Sequence, residues 1–295
     1  MTSATPHLTA PLVAPADLAG LLAAPGRPVP VVLDVRWRLG GPPGRADHDA
    51  GHVPGAVYVD LDTELAAPPG PGGRHPLPDP DELQEVLRRA GVRTDSAVVG
   101  YDDDTGAVAA RAWWLLRWAG LPAERVAVLD GGYRAWVAEG LPVTDAPSRP
   151  HRGDVVVRPG GMPVVDAAGA AGLARRGVLL DARAGARYRG ETEPVDARAG
   201  HIPGAVNAPA TEHLGPEGRW LPPAALAGRY RELGVDPAAP AVGAYCGSGV
   251  NATAVVLALE LAGLRPPGAP ATLYAGSWSQ WSADPERPVA TGPLP

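Results

Sequence analysis

The 295-residue chain holds one cysteine, Cys246, and no phenylalanine. One thiol cannot close an intrachain disulfide, and a lone thiol stays reduced in the cytoplasm, the expected compartment. Basic residues are in the minority. The formal net charge of −6 argues against a nonspecific binder of nucleic acid or anionic membranes. No apolar run approaches the length of a membrane span. Met1 to Ala10 lack a basic cluster followed by an apolar core, so no signal peptide is expected. Aromatics are limited to eight Trp and seven Tyr, and Ala, Gly and Pro fill the volume instead. With 45% apolar and 20% charged residues, the composition is that of a soluble globular chain, long enough for two ordinary domains.

The single thiol lies in the run Ala-Tyr-Cys-Gly-Ser-Gly-Val-Asn-Ala over 244–252. A short apolar segment ends before it and a helix-like segment begins after it. A thiol at that junction meets unpaired backbone N–H groups and the positive end of a helix dipole, which favour a thiolate. The commoner fate of a lone cysteine is inert burial. Gly247 and Gly249 argue against that fate, because they open the backbone around the sulfur. The loop can wrap several N–H groups around one anion. Cysteine-dependent phosphatases use a similar loop, with an Arg after five intervening residues to clamp phosphate. Here that position is Ala252, which makes phosphatase chemistry the weaker reading.

The chain repeats itself. Val31-Val32-Leu33-Asp34-Val35-Arg36 returns as Val178-Leu179-Leu180-Asp181-Ala182-Arg183. Gly51-His52-Val53-Pro54-Gly55-Ala56-Val57 returns as Gly200-His201-Ile202-Pro203-Gly204-Ala205-Val206. Ala119-Gly120-Leu121 matches Ala262-Gly263-Leu264, and Asp130-Gly131-Gly132-Tyr133 matches Ala275-Gly276-Ser277-Trp278. The offset stays between 143 and 149 residues, the mark of a duplicated domain. The expected division is a first domain over 14–145, a linker over 146–163 and a second domain over 164–292. The stretch Val143–Gly161, rich in Pro, Arg and Gly, marks the seam. Strands are expected over Val29–Val35, Ala97–Tyr101, Gly177–Ala182 and Ala241–Tyr245. Helices are expected over Asp79–Ala90, Ala107–Trp118, Pro222–Leu233 and Asn251–Leu261. Alternation of this kind predicts α/β domains, each a mostly parallel sheet flanked by helices, with ligands beyond the carboxyl ends of the strands.

Aligned on the Ala-Gly-Leu ends, Asp103 takes the place of Cys246, so the first half should have no thiol chemistry. Asp102, Asp103 and Asp104 form a conceivable divalent-metal site, but adjacent carboxylates more often make a solvated turn or helix start. The two Gly-His-x-Pro-Gly-Ala segments occur in both halves, which favours a structural turn with a satisfied imidazole at His52 and His201. His48 and His52 are four apart, a spacing that binds metal on a helix. Nearby Gly and Pro argue against a helix there. Gly131-Gly132 lacks the remaining features of a dinucleotide fingerprint.

These motifs together resemble the tandem-domain rhodanese-like sulfurtransferases, which use thiosulfate or 3-mercaptopyruvate. The resemblance runs from about Ala14 to Val289. It rests on the paired Asp-x-Arg and Gly-His-x-Pro-Gly-Ala motifs, on Asp-Ala-Arg, Arg-Tyr and Glu-Pro in the second half, and on the cysteine loop. It implies two tandem rhodanese-like domains, the first catalytically inactive, with no cofactor and no metal. It also implies a persulfide on Cys246 and an external thiol or cyanide acceptor, a thioredoxin-like reductant among the candidates. No nucleic acid or membrane partner is implied. A loop reading Cys-Gly-Ser-Gly-Val-Thr-Ala is similar to the mercaptopyruvate type, whereas basic residues beside the cysteine mark the thiosulfate type. Gly247, Ser248, Gly249 and Val250 fit the former, and Asn251 stands in for the Thr and is expected to cap the following helix.

From the same resemblance, Ser248 with His75 and Asp62 forms the acid–base set of the mercaptopyruvate enzymes, and the site lies between the domains. Arg187 is expected to hold the donor carboxylate. The second arginine expected after Glu193-Pro194 is replaced by Val195, and Arg198 is the proposed substitute. Ala275 also replaces an expected Asp, retained in the first half as Asp130. The readings to separate are a mercaptopyruvate sulfurtransferase, a thiosulfate sulfurtransferase, and a noncatalytic persulfide carrier or binding protein.

Overall fold

The computed structural model describes residues 8–26, 28–237 and 241–295. Most of the stretch read for a leader, Met1–His7, lies outside them. Five strands form one parallel sheet: β1 (Leu12–Val13), β2 (Val31–Asp34), β3 (Val57–Tyr58), β4 (Val98–Tyr101) and β5 (Val126–Leu129), in the order β1-β5-β4-β2-β3. Five more form a second sheet: β6 (Val164–Val165), β7 (Val178–Asp181), β8 (Val206–Asn207), β9 (Val242–Tyr245) and β10 (Thr272–Tyr274), in the order β6-β10-β9-β7-β8. The second order is the first with every number raised by five, so the duplication extends to topology. The central strands β4 and β9 are buried throughout, as expected for a sheet covered by helices on both faces.

The chain divides into two compact units. The first gathers the chain up to Ala66, then Pro78–Gly161 and Pro216–Trp220. The second gathers Ala67–Leu77, Met162–Gly215 and the chain from Leu221 onward. The units are therefore interleaved in sequence, and His75 counts with the second.

Local sequence explains the helices. Asp79 caps Pro80–Arg89 by accepting from the N–H groups of Asp81 and Glu82. Pro80 opens the helix and Arg88 and Arg89 close it, which suits the dipole. The helix Ala107–Trp118 is buried at every position, and Asn251–Leu261 is buried at Ala252 through Leu259. Both are largely apolar, as buried helices are, although the first also buries Arg111 and Arg117 and the second buries Thr253. Trp136 in one unit and Trp278 and Trp281 in the other are each at most 2% exposed and anchor the two cores. Burial on that scale stabilises by roughly 1.5–3 kcal/mol per large side chain. No helix among the described residues is long and apolar enough to cross a membrane.

Strand register corrects the alignment of the halves. Tyr101 pairs with Asp34 across β4 and β2, and Tyr245 pairs with Asp181 across β9 and β7. The next residue in each half is Asp102 and Cys246. Asp102, not Asp103, is therefore the counterpart of the thiol. Alignment on the Ala-Gly-Leu ends slipped by one because Ala107–Trp118 has 12 residues and Asn251–Leu261 has 11.

Candidate active site

Cys246 follows β9 directly and precedes the N-terminus of Asn251–Leu261. It is 3% exposed, and its Sγ accepts the N–H of Gly249 at 3.1 Å. Gly249 has φ +82, and a Cβ there would lie 2.5 Å from the carbonyl oxygen of Ala275, so only glycine fits. Two loop carbonyls turn toward the short helix Ser277–Ala283. Trp278 N–H donates to Cys246 O and Ser279 N–H to Gly247 O, both at 2.9 Å. These are orphan donors of a helix start. With these two carbonyls turned away, the loop brings the Gly249 N–H to the sulfur. Val250, not Asn251, is the N-cap of the following helix, and no side chain caps it. Asn251 is an exposed first helical residue, which corrects its expected capping role: a cap must precede the first helical turn.

Ser277 was not singled out by sequence. It is fully buried with φ +53, the left-handed region that non-glycine residues seldom enter. Its Oγ accepts the Cys246 N–H at 3.1 Å and donates to Tyr274 O at 2.9 Å. The first unit has Gly132 at the matching place, with φ +57.

His75 is 4% exposed and Ser248 8%, and His75 Nδ1 lies 2.8 Å from Ser248 Oγ. The Pro/Gly-rich segment that carries His75 is firmly held. Arg74 N–H donates to Ser279 Oγ at 3.0 Å, Gln280 Nε2 donates to Pro71 O at 3.0 Å, and Gly70 and Gly73 exchange backbone hydrogen bonds. Asp62 belongs to the first unit, on the short helix Leu61–Glu64, where it accepts from Trp37 Nε1 at 2.7 Å.

Arg187 makes a fork with Glu193, Nε to Oε2 at 3.2 Å and Nη2 to Oε1 at 2.6 Å, and Nη2 also reaches Asp196 Oδ2 at 2.9 Å. Burial alone would push the Glu193 carboxyl up, but Arg187 and the N–H groups of Asp196 and Val195 outweigh it and hold it below its ordinary range. Arg198 does not join this cluster. Its Nε and Nη1 donate to the carbonyls of Ser282 and Arg287, and its Nη2 to those of Trp281 and Asp284. Its guanidinium is spent on chain carbonyls in the last turn of the Ser277 helix and just beyond it, which corrects its expected role as a substrate clamp. The guanidinium that does approach the loop is that of Arg74. A Cβ built on Gly247 would lie 3.2 Å from Arg74 Nη2 and 3.6 Å from Arg187 Nη1.

In the first unit, Asp102 fills its own loop. Its Oδ1 accepts from Asp104 and Gly106 N–H, and its Oδ2 from Val108 and Ala109 N–H, at 3.0–3.1 Å. Asp103 pairs with Arg38. Among the described residues, no three His, Cys, Asp or Glu side chains converge as metal ligands. His48 lies on a helix, Gly44–Ala50, but Gly51 ends it before His52, so the two histidines do not share a helix. His48 Nδ1 is 2.8 Å from Asp34 Oδ2, and its ring stacks on His52 at 3.8 Å. His52 and His201 use Nδ1 on the carbonyls of His48 and Tyr188. Among the described residues, the Nε2 of each has no hydrogen-bond partner, so the imidazoles are half satisfied.

The model of the rhodanese-like domain matches this chain twice, over residues 15–139 and 167–284. A Pseudomonas aeruginosa protein named "Probable 3-mercaptopyruvate sulfurtransferase" is 47% identical, with 96% of this chain and 99% of that protein covered. A Mycobacterium tuberculosis protein named "Putative thiosulfate sulfurtransferase SseB" is 45% identical, with 95% and 97% covered. Among solved structures, the 3-mercaptopyruvate enzyme SseA from Escherichia coli superposes with a TM-score of 0.79 at 30% identity, covering 92% of this chain and all of that one.

Proposed function

The chain belongs to the rhodanese-like sulfurtransferase family, and we propose that it moves sulfane sulfur from 3-mercaptopyruvate through a persulfide on Cys246. The Cys246 thiolate attacks the donor sulfur. The carbon–sulfur bond breaks with its electron pair left on the pyruvate enolate, and a proton completes pyruvate. An acceptor thiolate or cyanide then takes the outer sulfur and releases the Cys246 thiolate. The observation that carries the donor assignment is the 2.8 Å pair of His75 and Ser248 in the loop of the thiol. A hydroxyl backed by an imidazole can hand a proton to the enolate, which thiosulfate cleavage does not require. Asp62 enters this reading on the family resemblance alone. With one cysteine, the chain has no resolving thiol, so the acceptor is external, and a thioredoxin-like dithiol in the cytoplasm fits.

The test is intact mass after exposure to 3-mercaptopyruvate. One added sulfur on the wild type and none on Cys246→Ser is the expected result. An unchanged wild-type mass, or the same gain on Cys246→Ser, refutes the reading. Two guanidiniums beside Gly247 also suit a thiosulfate dianion, so steady-state rates with both donors decide between them. Faster turnover of thiosulfate reverses the ranking. A persulfide passed stoichiometrically to one partner, with no turnover on either donor, favours a carrier.

A further inference from the structure

We propose that the first unit carries a binding site of its own: a cleft beside the stacked rings of His48 and His52 that takes a small organic cation with N–H donors, an aliphatic amine or guanidine. The inference goes beyond the proposed sulfur transfer and does not depend on it.

The cleft has a volume of about 510 Å³, inside the usual range of small-molecule sites, roughly 300–1,000 Å³. Every residue that lines it belongs to the first unit. His52 is one of them, and it is 1% exposed. Its Nδ1 lies 2.8 Å from the carbonyl oxygen of His48, so Nδ1 carries the proton. In a neutral ring Nε2 is then a bare acceptor, buried and without a partner among the described residues. An N–H group on a ligand would match it. His201 in the second unit has the same unmatched nitrogen, so what marks a site is the surroundings of His52. His201 stacks at 3.8 Å on Tyr188, whose hydroxyl is spent on the Ala205 carbonyl at 2.7 Å. His52 stacks at 3.8 Å on His48 instead, a second imidazole that lines the same cleft.

The rest of the wall selects the charge. Arg45 is paired with Asp49 at 2.9 Å, and Arg89 is paired with Glu64. Two further carboxylates line the cleft, Asp60 and Asp145. Asp60 is held by uncharged donors, the Tyr58 hydroxyl at 3.0 Å and the N–H and hydroxyl of Thr63 at 2.9 Å, and Asp145 is exposed. With neutral imidazoles, the lining thus carries four carboxylates against two guanidiniums, which favours a cation over an anion. Val57 and Pro147 give a methylene stem an apolar wall. A metal ion fits less well. The two imidazole planes are 10° from parallel, so their in-plane lone pairs do not converge on one ion, and among the described residues no third ligand joins them.

The test is titration calorimetry at about pH 8, where an ordinary imidazole is neutral, with putrescine, agmatine, butane-1,4-diol and orthophosphate as probes. Both amines should bind once per chain, and the diol, which has the length of putrescine without its charge, at least about tenfold more weakly. Long-range ¹H–¹⁵N spectra of the imidazoles should show His48 and His52 shifting on addition of amine while His201 stays fixed. His48→Tyr, which copies the ring of the second unit, should weaken amine binding at least about tenfold, and Asp145→Asn about threefold. Asp145→Lys, an exposed change that reverses a charge, should weaken it about tenfold and carries the measurement if His48→Tyr folds poorly. No amine binding below about 10 mM overturns the inference, as does equal binding of the diol or a preference for orthophosphate. Affinity unchanged in the Asp145 variants, or equal shifts at His201 and His52, overturns the placement and the inference with it.

Discussion

Replacing Ser277 separates two opposing effects at the cysteine loop. The residue sits at φ +53, and a left-handed backbone costs a residue with a Cβ roughly 1–2 kcal/mol. In return, its Oγ accepts the buried Cys246 N–H and donates to Tyr274 O. Ser277→Ala keeps the strain and strands that N–H, a loss of about 1–3 kcal/mol. Ser277→Gly strands the same N–H but relieves the strain, offset by about 0.5–1 kcal/mol of extra chain entropy. The glycine variant should therefore be the more stable by up to about 1.5 kcal/mol, with both below wild type. Urea unfolding read by tryptophan emission suits the comparison, because Trp278 and Trp281 are the tryptophans of the second unit and flank the site. The loop also loses an anchor, so the rate of persulfide formation should fall about tenfold in both variants, on the scale of 1.4 kcal/mol in the barrier. An alanine variant as stable as wild type, or alanine above glycine, would refute the account of strain held against two hydrogen bonds.

His75→Gln should lower kcat about a hundredfold with little change in KM, as loss of a proton carrier does, and stopped-flow pyruvate release would show it. Asp102→Cys should gain no sulfur on exposure to donor and should destabilise the first unit by about 2 kcal/mol or more, because four N–H groups lose a carboxylate; intact mass and thermal unfolding check both. Burial, aided by Arg229, pushes His213 down to about 3. The unfolded chain binds that proton below about pH 6.5 and the folded chain does not, so stability present above pH 6.5 is lost as pH falls toward 3. The slope is at most about 1.4 kcal/mol per pH unit from this group, and His213→Gln should flatten it in guanidinium midpoints measured between pH 7 and pH 5.

The regular elements were legible because they obey local rules. The spans Ala107–Trp118 and Asn251–Leu261 match the structure residue for residue. The strands lose a residue or two at their ends, although Val35, Ala97, Ala182 and Ala241 still each make a backbone hydrogen bond to the neighbouring strand. The thiol loop was visible because glycines and a helix start surround a single cysteine. What local pattern could not supply is long-range pairing. Arg74 and Asp196 are 122 residues apart, and no periodicity links them. Arg198 was drawn to the site by its nearness to Val195 in sequence, yet its partners are carbonyls more than 80 residues away. Ser277 did leave a trace: the first copy has Gly132 where the second has serine. A β-carbon placed where its copy has glycine at positive φ signals a side chain with a task.

The two copies also indicate why one keeps a thiol and the other a carboxylate. Both loops begin at the same register and end at a helix start after the same number of residues. In the first, the Asp102 carboxylate reaches past the position of a sulfur atom and accepts four N–H groups, so the loop's capacity for an anion is exhausted by its own side chain. In the second, Sγ takes one N–H, from Gly249. On the proposed mechanism, a shorter side chain that takes one N–H leaves room in the loop for the atom that a persulfide adds to the sulfur. On the proposed mechanism the first unit is expected to be inert, through a filled loop as much as through a missing thiol. For that reason, a cysteine at 102 alone should not carry sulfur, since the N–H groups there are arranged around two carboxylate oxygens.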